Sequence, residues 1–237
     1  MYNSKKILSI IPARGGSKGL PGKNIKPLLD KPLIGWTIEQ AKVSKYLDEI
    51  FISTDSQEIA NVAKSFGVDV YELRPPELAT DTSPSSAFVI HTIDFYRKKG
   101  KEFDYILLLE PTSPLRKEDD IDNMIRLTDL GMEGVVSVGE VHTEHPSIVK
   151  NINDQGIINP FIASKKKATH RQMLGKAYFP YCVGYLVKTS YFEETKLFYS
   201  ENSTPYIIER WQNYEIDDIY DFICVEAIMR YRKNNIL

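Results

Sequence analysis

Through its first 138 residues the chain alternates short apolar, β-rich runs with stretches of helical periodicity, and this alternation limits the fold more than any other feature. Strands separated by helices can run parallel, with the helices covering both faces of the sheet. Residues 6–13 (KILSIIPA), 49–53, 68–71, 105–109 and 134–138 read as strands, and residues 33–44, 56–66, 85–99 and 121–130 as helices. Gly67 stands where a helix cap is expected. In such sheets ligands bind at the carboxyl ends of the strands.

From Gly139 the rhythm changes. Pro146, Pro160, the turn sequence NINDQG, the run Lys165, Lys166 and Lys167, and an aromatic β-like stretch over 178–187 suggest an inserted lobe over 139–200. Residues 216–232 close the chain as a predicted helix, with Ile219, Phe222, Ile223 and Ala227 at helical spacing. At 237 residues and 42% hydrophobic content, one core and one domain over 1–237 are expected. A charged content of 26% with 11% aromatic residues argues against global disorder.

The formal net charge of −2 gives no long-range basic field, so neither nucleic acid nor a membrane is expected as a partner. An anionic substrate must instead be held by local charge and backbone donors. Cys182 and Cys224 form no CxxC pair. The N-terminal apolar run breaks at Pro12 and Arg14, too early for a signal-peptide core, and no apolar run is long enough to span a bilayer. A cytoplasmic location is expected.

Residues 12–24 (PARGGSKGLPGKN) carry the strongest functional signal. The segment follows the first strand and holds Gly15, Gly16, Gly19 and Gly22 with Arg14, Lys18 and Lys23; Lys26 lies just beyond. Glycines let the backbone approach a ligand and aim N–H groups at it, while the cations neutralise phosphate charge. Walker A spacing would require glycine where Ser17 stands and Ser or Thr where Asn24 stands. Gly15 to Gly19 does match G-x-S-x-G, but a nucleophile elbow needs earlier strands to build its oxyanion loop. The features describe a polyphosphate cradle.

Elsewhere, Asp55 or Ser56 reads as a helix N-cap. Arg74 to Ser86 reads as a turn and helix start. Glu110 to Arg116 reads as a Pro-bounded loop after the most apolar strand, with Arg116 at the sheet edge. Glu215 and Asp217 fall on one side of an extended segment, and two convergent carboxylates suit Mg²⁺. Asp218 and Asp221 suit the first turn of the final helix. His142 and His145 have no third metal ligand placed beside them and read as loop residues; His91 is assigned to its helix and His170 to the lobe.

PARGGSKGLPGKN resembles the N-terminal signature of the acylneuraminate cytidylyltransferases, the CMP-sialic acid synthetase family. The resemblance continues at 73–86 (LRPPELATDTSPSS), 107–116 (LLLEPTSPLR), 171–185 and 214–222 (YEIDDIYDF), so it covers nearly the whole chain. It implies an α/β, three-layer Rossmann-like nucleotidyltransferase fold with a mostly parallel sheet and a small dimerisation lobe. It implies an Mg²⁺-dependent enzyme that uses CTP and a nine-carbon keto-acid sugar, and a homodimer. Arg14, Gly15, Gly16, Ser17, Lys18, Lys23, Asn24, Arg74 and Ser85 would bind the nucleotide, with Arg14, Lys23 and Asp217 catalytic and Glu215 and Asp217 on the metal. Glu110, Arg171, Gln172, Tyr185, Phe198 and Tyr199 would face the sugar, whose carboxylate needs a cation such as Arg171 or Lys150.

The chain departs from the sialic acid pattern at two places. Glu110 replaces a Gln, and Phe179-Pro180-Tyr181-Cys182 replaces Arg-Pro-Asn-Gly, which turns the expectation toward legionaminic acid or a related nonulosonic acid. A non-catalytic phosphate-binding module and a serine hydrolase at Ser17 remain as alternatives at this point.

Overall fold

The computed structural model describes residues 1–162 and 175–235. Strand β1 (Ile7–Pro12) is buried on both faces: Ile7 and Ile11 enter one core cluster, Leu8 and Ile10 the other. A near-continuous apolar run is what a strand sandwiched between two helical layers requires. It pairs in parallel with β4 (Glu49–Ser53) on one side and β5 (Tyr105–Leu108) on the other. Farther out lie β6 (Gly134–Glu140), β9 (Tyr178–Lys188) and β10 (Ser203–Ile207), and the six-stranded order is β10-β6-β9-β5-β1-β4. β9 alone in this sheet runs against its neighbours, pairing antiparallel with both β5 and β6.

Helices α1 (Leu33–Val43), α2 (Gln57–Ser65) and α4 (Asp120–Arg126) pack one face through Ile34, Ile38, Ile59, Ala63 and Ile125. Helices α3 (Ser85–Lys98) and α5 (Thr189–Thr195) pack the other through Phe88, Val89, Ile93 and Phe192. This is the expected three-layer α/β architecture with a mostly parallel sheet. A third cluster joins Leu20, Leu28 and Leu33 to Ile216, Phe222 and Val225, tying the end of the chain to the loop after β1. The two-residue strands β2 (Pro27–Leu28) and β3 (Lys31–Pro32) form a small antiparallel pair leading into α1. No helix of the described residues is long and apolar enough to cross a membrane.

Several local expectations need correction. Residues 68–71 are not a strand. Helix α2 ends in a Schellman motif, with Gly67 N–H donating to Lys64 O and Val68 N–H to Ala63 O. Gly67 takes φ +79°, so the glycine does cap the helix, and the chain after it closes the helix instead of pairing with β4. The helix expected over 121–130 is α4 followed by a 3₁₀ turn, Leu127–Leu130. The last helix, α6 (Ile219–Asn235), begins later than 216 because Ile216 is buried in the preceding loop and its N–H donates to Thr112 O. Asp218 Oδ1 accepts from the N–H groups of Tyr220 and Asp221 and caps the first turn. Of the four residues expected to share its inner face, Phe222 is buried and Ile219, Ile223 and Ala227 are exposed; Val225 is the second buried contact.

The expected lobe over 139–200 does not leave the sheet as a block, because β9 lies between β5 and β6. Among the described residues, β7 (Lys150–Ile152) and β8 (Ile158–Pro160) form a separate two-stranded hairpin, turned by the NINDQG sequence. There Asn153 Oδ1 accepts from the N–H groups of Gln155 and Ile157.

Candidate active site

The carboxyl ends of β1, β4 and β5 and the amino end of β9 meet at one edge of the sheet. The loops they feed, together with the segment before α6, enclose a cavity of about 450 Å³, within the usual size for a small-molecule site. Of the expected site residues, Arg14, Ser17, Lys18, Lys23, Asn24, Arg74, Ser85, Glu110 and Asp217 all line it.

The glycine-rich loop is braced from three directions. Asn24, itself buried, donates from its side-chain amide to Arg14 O at 3.0 Å. Gly15 N–H donates to Asp55 Oδ1 at 2.8 Å. Lys23 Nζ donates to Ile216 O at 2.7 Å and lies 3.4 Å from Asp217 Oδ1. A Cβ placed on Gly19 would come within 2.4 Å of Asp217 O, so only glycine lets the loop and the segment before α6 approach this closely. The loop's cations and the Asp217 carboxylate are thereby held in one piece.

Opposite the loop, Arg74 is buried, donating from Nε to Ser53 Oγ at 2.9 Å and from Nη2 to Ser53 O at 2.7 Å. Its guanidinium lies 4.4 Å from the centre of the Phe88 ring. Burial pushes Arg74 down to about 10, so it stays charged at neutral pH. A fixed, charged donor group beside an aromatic ring suits the acceptor edge of a heterocyclic base.

Glu110 follows β5 at the cavity floor. Burial raises its carboxyl above the ordinary Glu range, and the negative charge of Glu215 raises it further. Glu215 turns away from Asp217: its Oε1 accepts from Ser113 Oγ at 3.3 Å and from the N–H of Cys182. Residues 213–216 belong to no helix or strand, Ile216 between the two carboxylates is buried, and the two carboxylates find different partners. Arg116 is buried behind this floor, donating to Glu110 O at 2.8 Å, Cys182 O at 2.9 Å and Val183 O at 2.5 Å, and thereby clamps the β5 loop to β9.

The remaining expected residues lie elsewhere. Tyr185, Phe198 and Tyr199 form an aromatic group apart from the cavity lining, with Tyr185 and Tyr199 stacked at 5.9 Å between centroids. Gly15 and Gly16 shape the loop without lining the cavity. Arg171 and Gln172 lie outside the described residues. Ser17 is hydrogen-bonded to no histidine among the described residues.

Sequence reasoning missed three contributors. Asp55 braces the loop, while the capping role belongs to Ser56, whose Oγ accepts from Ile59 N–H. Asp81 bridges Arg14 and Lys18. Arg116 clamps the floor. Asp55 stands at the carboxyl end of a parallel strand and Asp81 inside the 73–86 block, and those positions were the available signals.

Residues 8–237 match the family model described as Cytidylyltransferase. The chain belongs to the cytidylyltransferase family. The chain is 36% identical over 226 residues to the CMP-N,N'-diacetyllegionaminic acid synthase of Legionella pneumophila, covering 94% of this chain and 96% of that protein. It is 33% identical to the N-acylneuraminate cytidylyltransferase of Escherichia coli O18:K1:H7, covering 92% of this chain but only 50% of that protein. The chain thus spans about half the length of that relative, as it does for the Streptococcus agalactiae enzymes of the same name, at 52%. Among solved structures, it resembles a CMP:2-keto-3-deoxy-manno-octonic acid synthetase complexed with CTP, with a TM-score of 0.70 and 17% identity over 96% of this chain and 99% of that one. A 4-diphosphocytidyl-2C-methyl-D-erythritol synthase from Anaerococcus prevotii superposes with a TM-score of 0.63 and 14% identity, covering 95% of this chain and 96% of that one. These two likenesses confirm the fold.

Proposed function

We propose that the chain transfers CMP from CTP to the anomeric hydroxyl of a nonulosonic acid and releases pyrophosphate. The observation that carries this reading is the convergence of Arg14, Lys18, Lys23, Arg74 and Asp217 on one cavity at the carboxyl ends of the parallel strands. Arg74, with Ser85 lining the same cavity, would read the cytosine edge against Phe88, and the loop cations would hold the triphosphate. The sugar hydroxyl would attack the α-phosphorus, losing its proton to water as the phosphodiester forms and the bond to the pyrophosphate oxygen breaks. Chemistry of this kind is mostly positioning and charge neutralisation.

Asp217 suits a magnesium ion. Its carboxylate lines the cavity, its side chain is 86% exposed, and Mg²⁺ in nucleotide sites commonly takes one or two carboxylates with phosphate oxygens and waters. Glu215 is already engaged with Ser113 and Cys182, so Asp217 would be the principal ligand and Glu215 would join it only by turning. Bound magnesium would supply charge neutralisation at the α-phosphate. Lys23 would then be released from its pairing with Asp217 to meet phosphate oxygens.

For the acceptor, the names of the relatives support the nonulosonic acid class, and Glu110 with the Phe179 to Cys182 stretch favours a legionaminic-type sugar over N-acetylneuraminate. The sugar-facing assignments of Arg171, Gln172, Tyr185, Phe198 and Tyr199, and of the lobe as a homodimer contact, belong to the same proposal. Exposed Ile152, Ile158 and Phe161 on and beside the β7–β8 hairpin support the dimer, and light scattering tests it. The work is assigned to the cytoplasm, where CTP is made.

The test is pyrophosphate release with CTP, Mg²⁺ and a panel of keto-acid sugars. Release that depends on both CTP and one of these sugars supports the reading; a non-catalytic module releases nothing. Lys23→Ala and Asp217→Ala should each lower turnover by about two orders of magnitude or more with the thermal midpoint retained. Near-normal turnover in either variant removes that residue from its role.

A further inference from the structure

Asp81 has no place in the transfer just described, yet it sits at the centre of the cavity's charge. Arg14 Nη1 lies 2.8 Å from Asp81 Oδ1, and Lys18 Nζ lies 2.5 Å from Asp81 Oδ2. Both carboxylate oxygens are spent, one on each cation, and all three residues line the same cavity. The two cations hold the Asp81 carboxyl below the ordinary Asp range. A carboxylate held this way has the charge sign and the two-oxygen reach of a phosphate group between the same cations.

Two features make the contact displaceable. Lys18 is 79% exposed at its side chain and Arg14 33%, so the pairs sit in water, where each contributes little. The segment that carries Asp81, residues 79–84, belongs to no helix or strand. It is braced mainly by its own hydroxyls: Thr80 Oγ1 and Ser83 Oγ lie 2.6 Å apart, and Ser83 Oγ donates to Glu77 O at 2.7 Å.

We propose that Asp81 is a built-in counter-anion of the triphosphate site: its carboxylate bridges Arg14 and Lys18 until a polyphosphate displaces it, and it competes with pyrophosphate for the same two cations after transfer. Asp81 therefore sets how tightly anions are held and favours release of the product. A triphosphate carries enough charge to displace it, whereas a singly substituted phosphate carries less. The inference rests on the polyphosphate reading of residues 12–24.

The experiment is calorimetric titration of inorganic pyrophosphate, without metal, into the full chain and its Asp81→Asn variant at fixed ionic strength. Removing one competing charge from two exposed pairs should tighten pyrophosphate binding about three- to tenfold. In the steady state the same variant should show a lower KM for CTP and stronger pyrophosphate inhibition. If Asp81 instead holds the cations in position for phosphate, Asp81→Asn weakens binding and raises KM; equal or weaker binding overturns the proposal. Failure of both proteins to bind pyrophosphate overturns the polyphosphate reading itself and this proposal with it. An Asp81→Glu variant, which restores the charge, should return affinity toward the wild-type value.

Discussion

Replacing Gly19 with alanine tests how tightly the site is assembled. Its φ lies outside the left-handed region, so alanine is free to take the backbone conformation, and the whole effect comes from contact. The added methyl carbon would stand 2.4 Å from Asp217 O, a backbone atom that no rotamer change can move aside. Relieving the overlap requires the glycine-rich loop and the Asp217 segment to part by about 1 Å, and a misplacement of that size near reacting groups costs on the order of 100-fold in rate. Overpacking of this kind costs about 1–3 kcal/mol of stability, which for a chain of this size lowers the thermal midpoint by roughly 2–12 °C. The assay is kcat/KM for CTP at saturating sugar and Mg²⁺, beside a thermal melt. The expected result is a fall of about 100-fold in kcat/KM in a protein that still melts cooperatively. Gly19→Ala activity within a few-fold of wild type would show that the loop and Asp217 need not touch, and the assembled-site reasoning would fail.

Two further substitutions probe the cavity floor. The folded carboxyl of Glu110 titrates above its unfolded value, so stability tied to it is present below about pH 4 and is lost as pH rises through the folded value. Glu110→Gln should therefore gain stability relative to wild type as pH rises from about 4 toward neutrality; urea denaturation across that range checks it, and a pH-independent difference would contradict the burial of this charge. Arg116→Ala removes the guanidinium donor from the carbonyls of Cys182 and Val183, while Glu110 O keeps the Ser113 N–H. At about 1–3 kcal/mol for each of these two buried carbonyls, the loss should be at least about 2 kcal/mol by urea denaturation; a loss under about 1 kcal/mol would show that water takes over the guanidinium's place.

The alternation of strands and helices gave the layered architecture because its cause is local: β1 must be apolar on both faces to lie between two helical layers. The reversed direction of β9 was not legible, since an aromatic β-like run looks the same whether it pairs parallel or antiparallel. The end of the chain misled for a related reason. Ile219, Phe222, Ile223 and Ala227 have helical spacing, but the helix buries Phe222 and Val225, which share one core cluster with Ile216 of the preceding loop. At the site, the glycine-rich loop announced itself through residue types that phosphate binding needs. Its braces did so only through position: Asp55 and Asp81 reach the loop across sequence separations of 40 and 67, and the strand end and the 73–86 block that carry them do not specify the partner. Glu215 and Asp217 show the limit of spacing arguments, because an irregular backbone turned one carboxylate to Cys182 and the other to Lys23.

Phosphorus NMR of the complete reaction tests the central claim most directly. With CTP, Mg²⁺ and N,N'-diacetyllegionaminic acid or N-acetylneuraminic acid, the reaction should show one new phosphodiester signal growing in step with free pyrophosphate, and neither signal should grow when the sugar is left out. Loss of CTP to CMP and pyrophosphate without a phosphodiester, or no change in CTP with any nonulosonic acid, would contradict CMP transfer.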